Sequence, residues 1–138
     1  MANEALVQEV KAIVGLAKDG DLDGAYDRYR TLFGGPDFAA YRIEDQRQAL
    51  RLMVSMKGMP KPPTRAVVEA HRAASVRLAE LVAAHAEPAD HELLGMCHVV
   101  LGEEAEASAV FRAGLALERE RSPQSKLCGV LMKRVSEL

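Results

Sequence analysis

The chain has 138 residues, 49% hydrophobic and 28% charged, with a formal net charge of −2. That supplies enough apolar side chain for the core of one ordinary domain, and the charges are too well mixed for a disordered segment. A near-neutral balance and an aromatic content of 4% without tryptophan remove the electrostatic and stacking grounds for a nucleic-acid binder.

Almost every segment has the three-to-four spacing of a helix face. Leu6, Val10, Ile13, Val14 and Ala17 form the first stripe, and the turn-like Lys18-Asp19-Gly20-Asp21 ends it. Leu22, Ala25, Tyr26, Tyr29, Leu32 and Phe33 form a second, before Gly34-Gly35-Pro36 breaks the chain. A third helix is predicted from Phe38 to Lys57, with Ile43, Leu50, Met53 and Val54 inward. The three prolines of Gly58–Pro63 lack donors and clash with a preceding turn, so they cannot continue it.

A fourth helix, Thr64 to Ala84, places Val67, His71, Ala74, Leu78, Leu81 and His85 on one seam. Pro88 suits the first turn of a fifth helix, whose inner edge is Leu94, Cys97, His98 and Leu101. Gly102 separates it from a sixth with Ala107, Val110, Phe111, Gly114 and Leu117. Ser122-Pro123 reads as the cap and first turn of a seventh, with Leu127, Leu131, Val135 and Leu138 inward. The expected fold is all-α: about seven helices as stacked antiparallel hairpins at about 3–33, 38–84 and 89–119, then a capping helix at about 123–137.

Two hairpins share a finer pattern. Gly102 is followed by Ala107 and Phe111, and Gly20 by Ala25 and Tyr29 at the same offsets. A small residue there lets paired helices approach, and an aromatic one turn later packs between units. This resembles the tetratricopeptide repeat, over roughly Val10–Phe33 and Asp90–Leu117. The middle hairpin departs from the pattern, because prolines lengthen its turn and Arg51 stands where the family has a small residue. The resemblance implies a right-handed superhelix of hairpins; a compact helical bundle is the alternative.

Motifs for chemistry are incomplete. Asp19, Asp21, Asp23, Gly24 and Asp27 follow the first part of a calcium loop, but Arg30 occupies the position that needs a bidentate carboxylate. His91-Glu92 opens like a zinc-protease helix, with Gly95 in place of the second histidine; His98 lies two turns on, and Cys97 points elsewhere. Cys97 and Cys128 are too few for a disulfide framework. Neither a nucleophile elbow nor a phosphate-cradling glycine loop stands in the sequence. No catalytic residue, metal or cofactor is expected. With no signal-peptide core and no apolar run of membrane length, the expected location is the cytoplasm.

The expected role is therefore non-enzymatic: a groove that binds a peptide or helix of another protein. A self-assembling homo-oligomer, such as a homodimer, is the second possibility, and a small metal protein or enzyme a remote third. The resemblance implies a concave wall built from the first helix of each hairpin. On it fall Val14 and Lys18, Leu52 and Met56, then Met96 and Val100. The family's lysine–arginine–asparagine carboxylate clamp has no counterpart at Val10, Val14, Ala89 and Leu93. Residues 38–77 carry +5 between ends of −3 and −4. Arg47 and Arg51, one turn apart, favour a partner with acidic residues beside apolar anchors. Met59, in the proline-rich turn, is a further contact candidate.

Overall fold

A computed structural model describes residues 4–138; the expected start of the first hairpin at residue 3 lies outside them. Regular structure among the described residues is entirely helical. The helices are α1 (Glu4–Lys18), α2 (Leu22–Gly34), α3 (Ile43–Val54), α4 (Arg65–His85), α5 (Pro88–Val100), α6 (Glu104–Arg121) and α7 (Lys126–Ser136), with a 3-10 turn at Phe38–Ala40. Contacts divide the chain into two units meeting within α4, at Ala74 and Ser75.

In the first unit, α1 buries Leu6 and Ile13, and α2 buries Ala25, Tyr26, Tyr29 and Phe33. Their backbones approach closely, which the fully buried Ala25 allows. Arg28 on α2 donates to both carboxylate oxygens of Glu9 on α1, at 2.6 and 3.0 Å. Tyr29, Phe33, Phe38 and Tyr41 continue as a chain of stacked and edge-to-face rings. The aromatic residues that composition left without a stacking role are core.

The third helix starts later than its stripe predicts. Phe38 belongs to the 3-10 turn, and the chain then runs extended through Tyr41 and Arg42 before α3 begins. Gln46 explains the break: its buried amide donates to the carbonyls of Ala39 and Tyr41, at 3.2 and 2.8 Å. These bonds hold the turn's open carbonyls, and Phe38 is free to pack edge-on against Phe33. The helix also stops at Val54, short of Lys57.

In the second unit, α5, α6 and α7 pack in succession. Their core is Ala107, Phe111, Leu115, Cys128 and Leu131, with Met96, Leu127 and Val135 against it. The α5–α6 approach depends on glycines. A Cβ on Gly95 would strike the Phe111 ring, and one on Gly114 would lie 2.6 Å from the His91 Cβ. Pro88 occupies the first turn of α5, as expected. Helix α7 begins after Ser125, not at Ser122-Pro123. The Ser125 hydroxyl accepts from Cys128 N–H and donates to Glu118 at 2.6 Å, so the buried Glu118 selects which serine caps the helix. Arg134 on α7 donates two bonds to Glu92 on α5.

The turns of the first and last hairpins have the same backbone bonding. At one, the N–H groups of Asp19, Gly20, Asp21 and Ala25 reach the carbonyls of Gly15, Ala17, Leu16 and Asp21; at the other, those of Leu101, Gly102, Glu103 and Ala107 reach Cys97, Val99, His98 and Glu103. Gly20 and Gly102 sit at φ +87° and +75°, left-handed values that a Cβ disfavours, and they close each helix with reversed-turn bonds. Gly58 also has positive φ, and like the others it lies two residues after the last expected wall position before its turn: Lys18, Met56 or Val100.

Candidate binding groove

Two adjoining clefts run along the first unit between α1 and α3, a helix that stands further from its neighbours than α1 does from α2. The first, about 230 Å³, is lined by Leu6, Val7, Val10 and Lys11 on one side and Asp45, Gln48, Ala49 and Leu52 on the other. The second, about 270 Å³, has Ile13, Val14, Ala17 and Lys18 facing Leu52, Met56 and Lys57, with Leu22 and Tyr29 beneath. Leu52 belongs to both, so the two form one groove. From Leu6 to Lys18 it is about 18 Å long, just over three turns of helix.

The residues that face it repeat with one spacing. Val7, Val10, Val14 and Lys18 on α1 match Asp45, Gln48, Leu52 and Met56 on and just beyond α3, each set at intervals of three, four and four. This is one face of a helix, presented twice in parallel. The N-terminal ends of α1 and α3 share the first cleft and their C-terminal ends the second.

Four of the residues predicted from sequence thus come together: Val14, Lys18, Leu52 and Met56 all line the second cleft. Leu52 is 37% exposed and lines both clefts. Arg47 and Arg51 line neither cleft; Arg47 is half-buried and Arg51 exposed on α3. The cations beside the groove are instead Lys11, Lys18 and Lys57. Met96 and Val100 lie in the second unit, both half-buried, and Met96 packs against the core that α6 and α7 share. Met59 is half-buried in the α3–α4 loop.

Sequence reasoning missed Val7, Asp45 and Gln48. Extending the Val14 and Leu52 stripes by one or two turns toward the N-terminus would have found them. Asp45 is the notable omission: its Oδ2 is buried and has no hydrogen-bond partner. It sits in the first turn of α3, where the helix dipole favours its charge without supplying a bond.

The remaining titratable candidates are structurally employed. Asp21 caps α2 by accepting from Gly24 N–H at 2.9 Å, and Asp23 accepts from the Thr64 hydroxyl at 2.8 Å. Arg30, at the loop position that needs a carboxylate, lies 3.7 Å from Glu69. His91 Nδ1 lies 2.8 Å from the Glu87 carbonyl and His98 Nδ1 2.9 Å from Glu103. Among the described residues no group of three His, Cys, Asp or Glu side chains could hold a metal ion. Cys97 is fully buried, and desolvation pushes its thiol up to about 12, far from a reactive thiolate. His71 is buried against Tyr26, with Nδ1 2.8 Å from the Val67 carbonyl, and burial lowers its pKa. His85, expected on the same seam, is exposed at the last residue of α4, beyond Leu81.

No helix among the described residues is long and apolar enough to cross a membrane. Comparison with protein-family models, with curated proteins and with solved structures finds no match to this chain.

Proposed function

We propose that this protein is a non-enzymatic interaction module that takes an amphipathic helix of another protein into the α1–α3 groove. The observation that carries this is the groove itself: an 18 Å-scale apolar channel with parallel, equally spaced walls and an exposed Leu52 at its centre. An inserted helix would present its own three-to-four stripe to both walls at once. The matched turns at Gly20 and Gly102, and a first helix that faces the groove, support a tetratricopeptide-like origin for the unit. The cytoplasm suits a chain that keeps two buried free thiols.

The test is selection from a displayed library of amphipathic helices of about 12 residues, the length that fills the groove. Binders to the wild type are counter-selected against Leu52→Asp, a change at an exposed position that leaves the fold intact, as far-UV circular dichroism checks. Clones that bind only the wild type are the expected outcome. If every clone binds both forms equally, the groove is not a binding site. Self-assembly is separated by light scattering at low salt: a dimer that Leu52→Asp disperses would put a second copy in the groove and overturn the proposal.

A further inference from the structure

The second unit has a cleft of its own, between α6 and α7, independent of the α1–α3 groove. We infer that it docks an acidic amphipathic helix of another protein, with two carboxylates seven residues apart on either side of an apolar anchor. The cleft has a volume of about 360 Å³. Leu115 and Ala116 on α6 and Met132 and Val135 on α7 give it an apolar lining. Leu115 and Val135 also pack in the core of the unit, so they form a fixed floor. Met132 is 49% exposed beside them. The polar lining is Ser136, Arg112 and Arg119, and no acidic side chain among the described residues lines the cleft.

Both arginines are exposed, and neither is held in an ion pair among the described residues. Arg112 donates from Nε to the Ser108 hydroxyl on its own helix at 3.0 Å, and its Nη groups have no partner among the described residues. The other arginines of these two helices are paired within the fold, Arg121 with Glu87 at 3.1 Å and Arg134 with Glu92 at 3.0 Å. A guanidinium takes a carboxylate through two parallel N–H donors, which selects it over a neutral acceptor. Arg112 and Arg119 are seven residues apart, two turns or about 10 Å along one face of α6. A helix lying along the cleft repeats that interval. Acidic residues at its positions i and i+7 meet the two arginines, while an apolar residue at i+3 or i+4 seats against Met132 and Leu115. A second copy does not supply this pattern, because no helix among the described residues carries two acidic residues seven apart.

A displayed library of helices with one apolar stripe tests this, its two flanking positions seven apart varied among glutamate, glutamine and lysine. Selection on the wild type is counter-selected against Met132→Asp, a change at an exposed position. Clones held in the α1–α3 groove bind both proteins and are removed. Those that remain should carry glutamate at both flanking positions. One such helix is then synthesised with a glutamate, a glutamine or a lysine pair, and dissociation constants are read by fluorescence anisotropy. The glutamate form should bind about five- to tenfold tighter than the glutamine form at low salt, and added salt should narrow the gap.

Joint Arg112→Glu and Arg119→Glu should transfer the preference to the lysine form. Clones that depend on Met132 but show no order among the three forms would overturn the acidic partner. If no clone depends on Met132, the cleft fails as a docking site, whatever the α1–α3 groove binds. Co-sedimentation with phosphatidylserine-containing vesicles, lost in the double arginine variant and unaccompanied by helix binding, would assign the arginines to a lipid surface and overturn the inference as well. Thermal melts of each variant distinguish a lost contact from a lost fold.

Discussion

Gly95→Ala should change sign with its neighbour. In the wild type, a Cβ at position 95 would meet three atoms of the Phe111 ring, Cδ1 at 2.6 Å, Cζ at 2.7 Å and Cε1 closer still. Ordinary carbon contacts lie near 3.5–4.0 Å, so ring or helix must move by about 1 Å. Phe111 is 1% exposed and packed against Ala107, Leu115 and Leu131, so the ring has no free direction. Overpacking of this kind costs about 1–3 kcal/mol, while alanine in a helix interior is favoured over glycine by about 1 kcal/mol.

The net expectation is a loss of up to about 2 kcal/mol. In a Phe111→Leu background the ring is gone, the clash with it, and only the helix term remains, so the same substitution should stabilise by about 1 kcal/mol. Urea unfolding of the four proteins in the cycle, followed by circular dichroism, measures both values. An equal cost in the two backgrounds would refute the ring as the obstacle. A wild-type Gly95→Ala that stabilises by about 1 kcal/mol, the helix term alone, would refute the close approach of α5 and α6 altogether.

Two further expectations concern single side chains. Removing the cap with Asp21→Ala should cost about 1 kcal/mol in thermal stability, while millimolar calcium leaves the wild-type midpoint unchanged; a saturable rise with calcium would overturn the assignment of Asp21 and Asp23 to capping and turn bonds. Burial holds the His71 pKa below its ordinary value, so the folded state takes up a proton less readily than the unfolded chain. Its contribution is therefore fully present above about pH 6.5 and is lost as pH falls below that value. His71→Gln should flatten the drop in urea midpoint between about pH 7 and pH 5, and an unchanged slope would show that His71 titrates alike in both states.

What the sequence made legible follows from where local chemistry is decisive. Gly20 and Gly102 announced their turns because the reversed-turn cap needs a left-handed residue, and Pro88 marked a first turn because nothing upstream requires its N–H. Where the deciding partner was distant, local signals misplaced the boundary. Ser122-Pro123 pointed to a cap three residues too early for α7, because the serine that caps it, Ser125, is held by the buried Glu118 on another helix. The break before α3 depends on Gln46 reaching back to two carbonyls, which no periodicity reveals. Val14, Lys18, Leu52 and Met56 could be placed on a common wall because each follows from helix phase and hairpin order. Asp45 could not be singled out: being buried without a hydrogen-bond donor is a property of its surroundings.

The chain of rings through Tyr29, Phe33, Phe38 and Tyr41 has a practical consequence. All three tyrosines, Tyr26, Tyr29 and Tyr41, lie in the first unit, whereas both cysteines, Cys97 and Cys128, are buried in the second. With no tryptophan to mask it, tyrosine emission reports the melting of one half of the molecule, and the rate at which a thiol reagent modifies the cysteines reports the opening of the other. The wild-type protein therefore carries a separate optical and chemical clock for each unit. Whether the two halves come apart together or in sequence can be timed without a single label or mutation, and Tyr29, on the floor of the groove, places the optical clock beside whatever binds there.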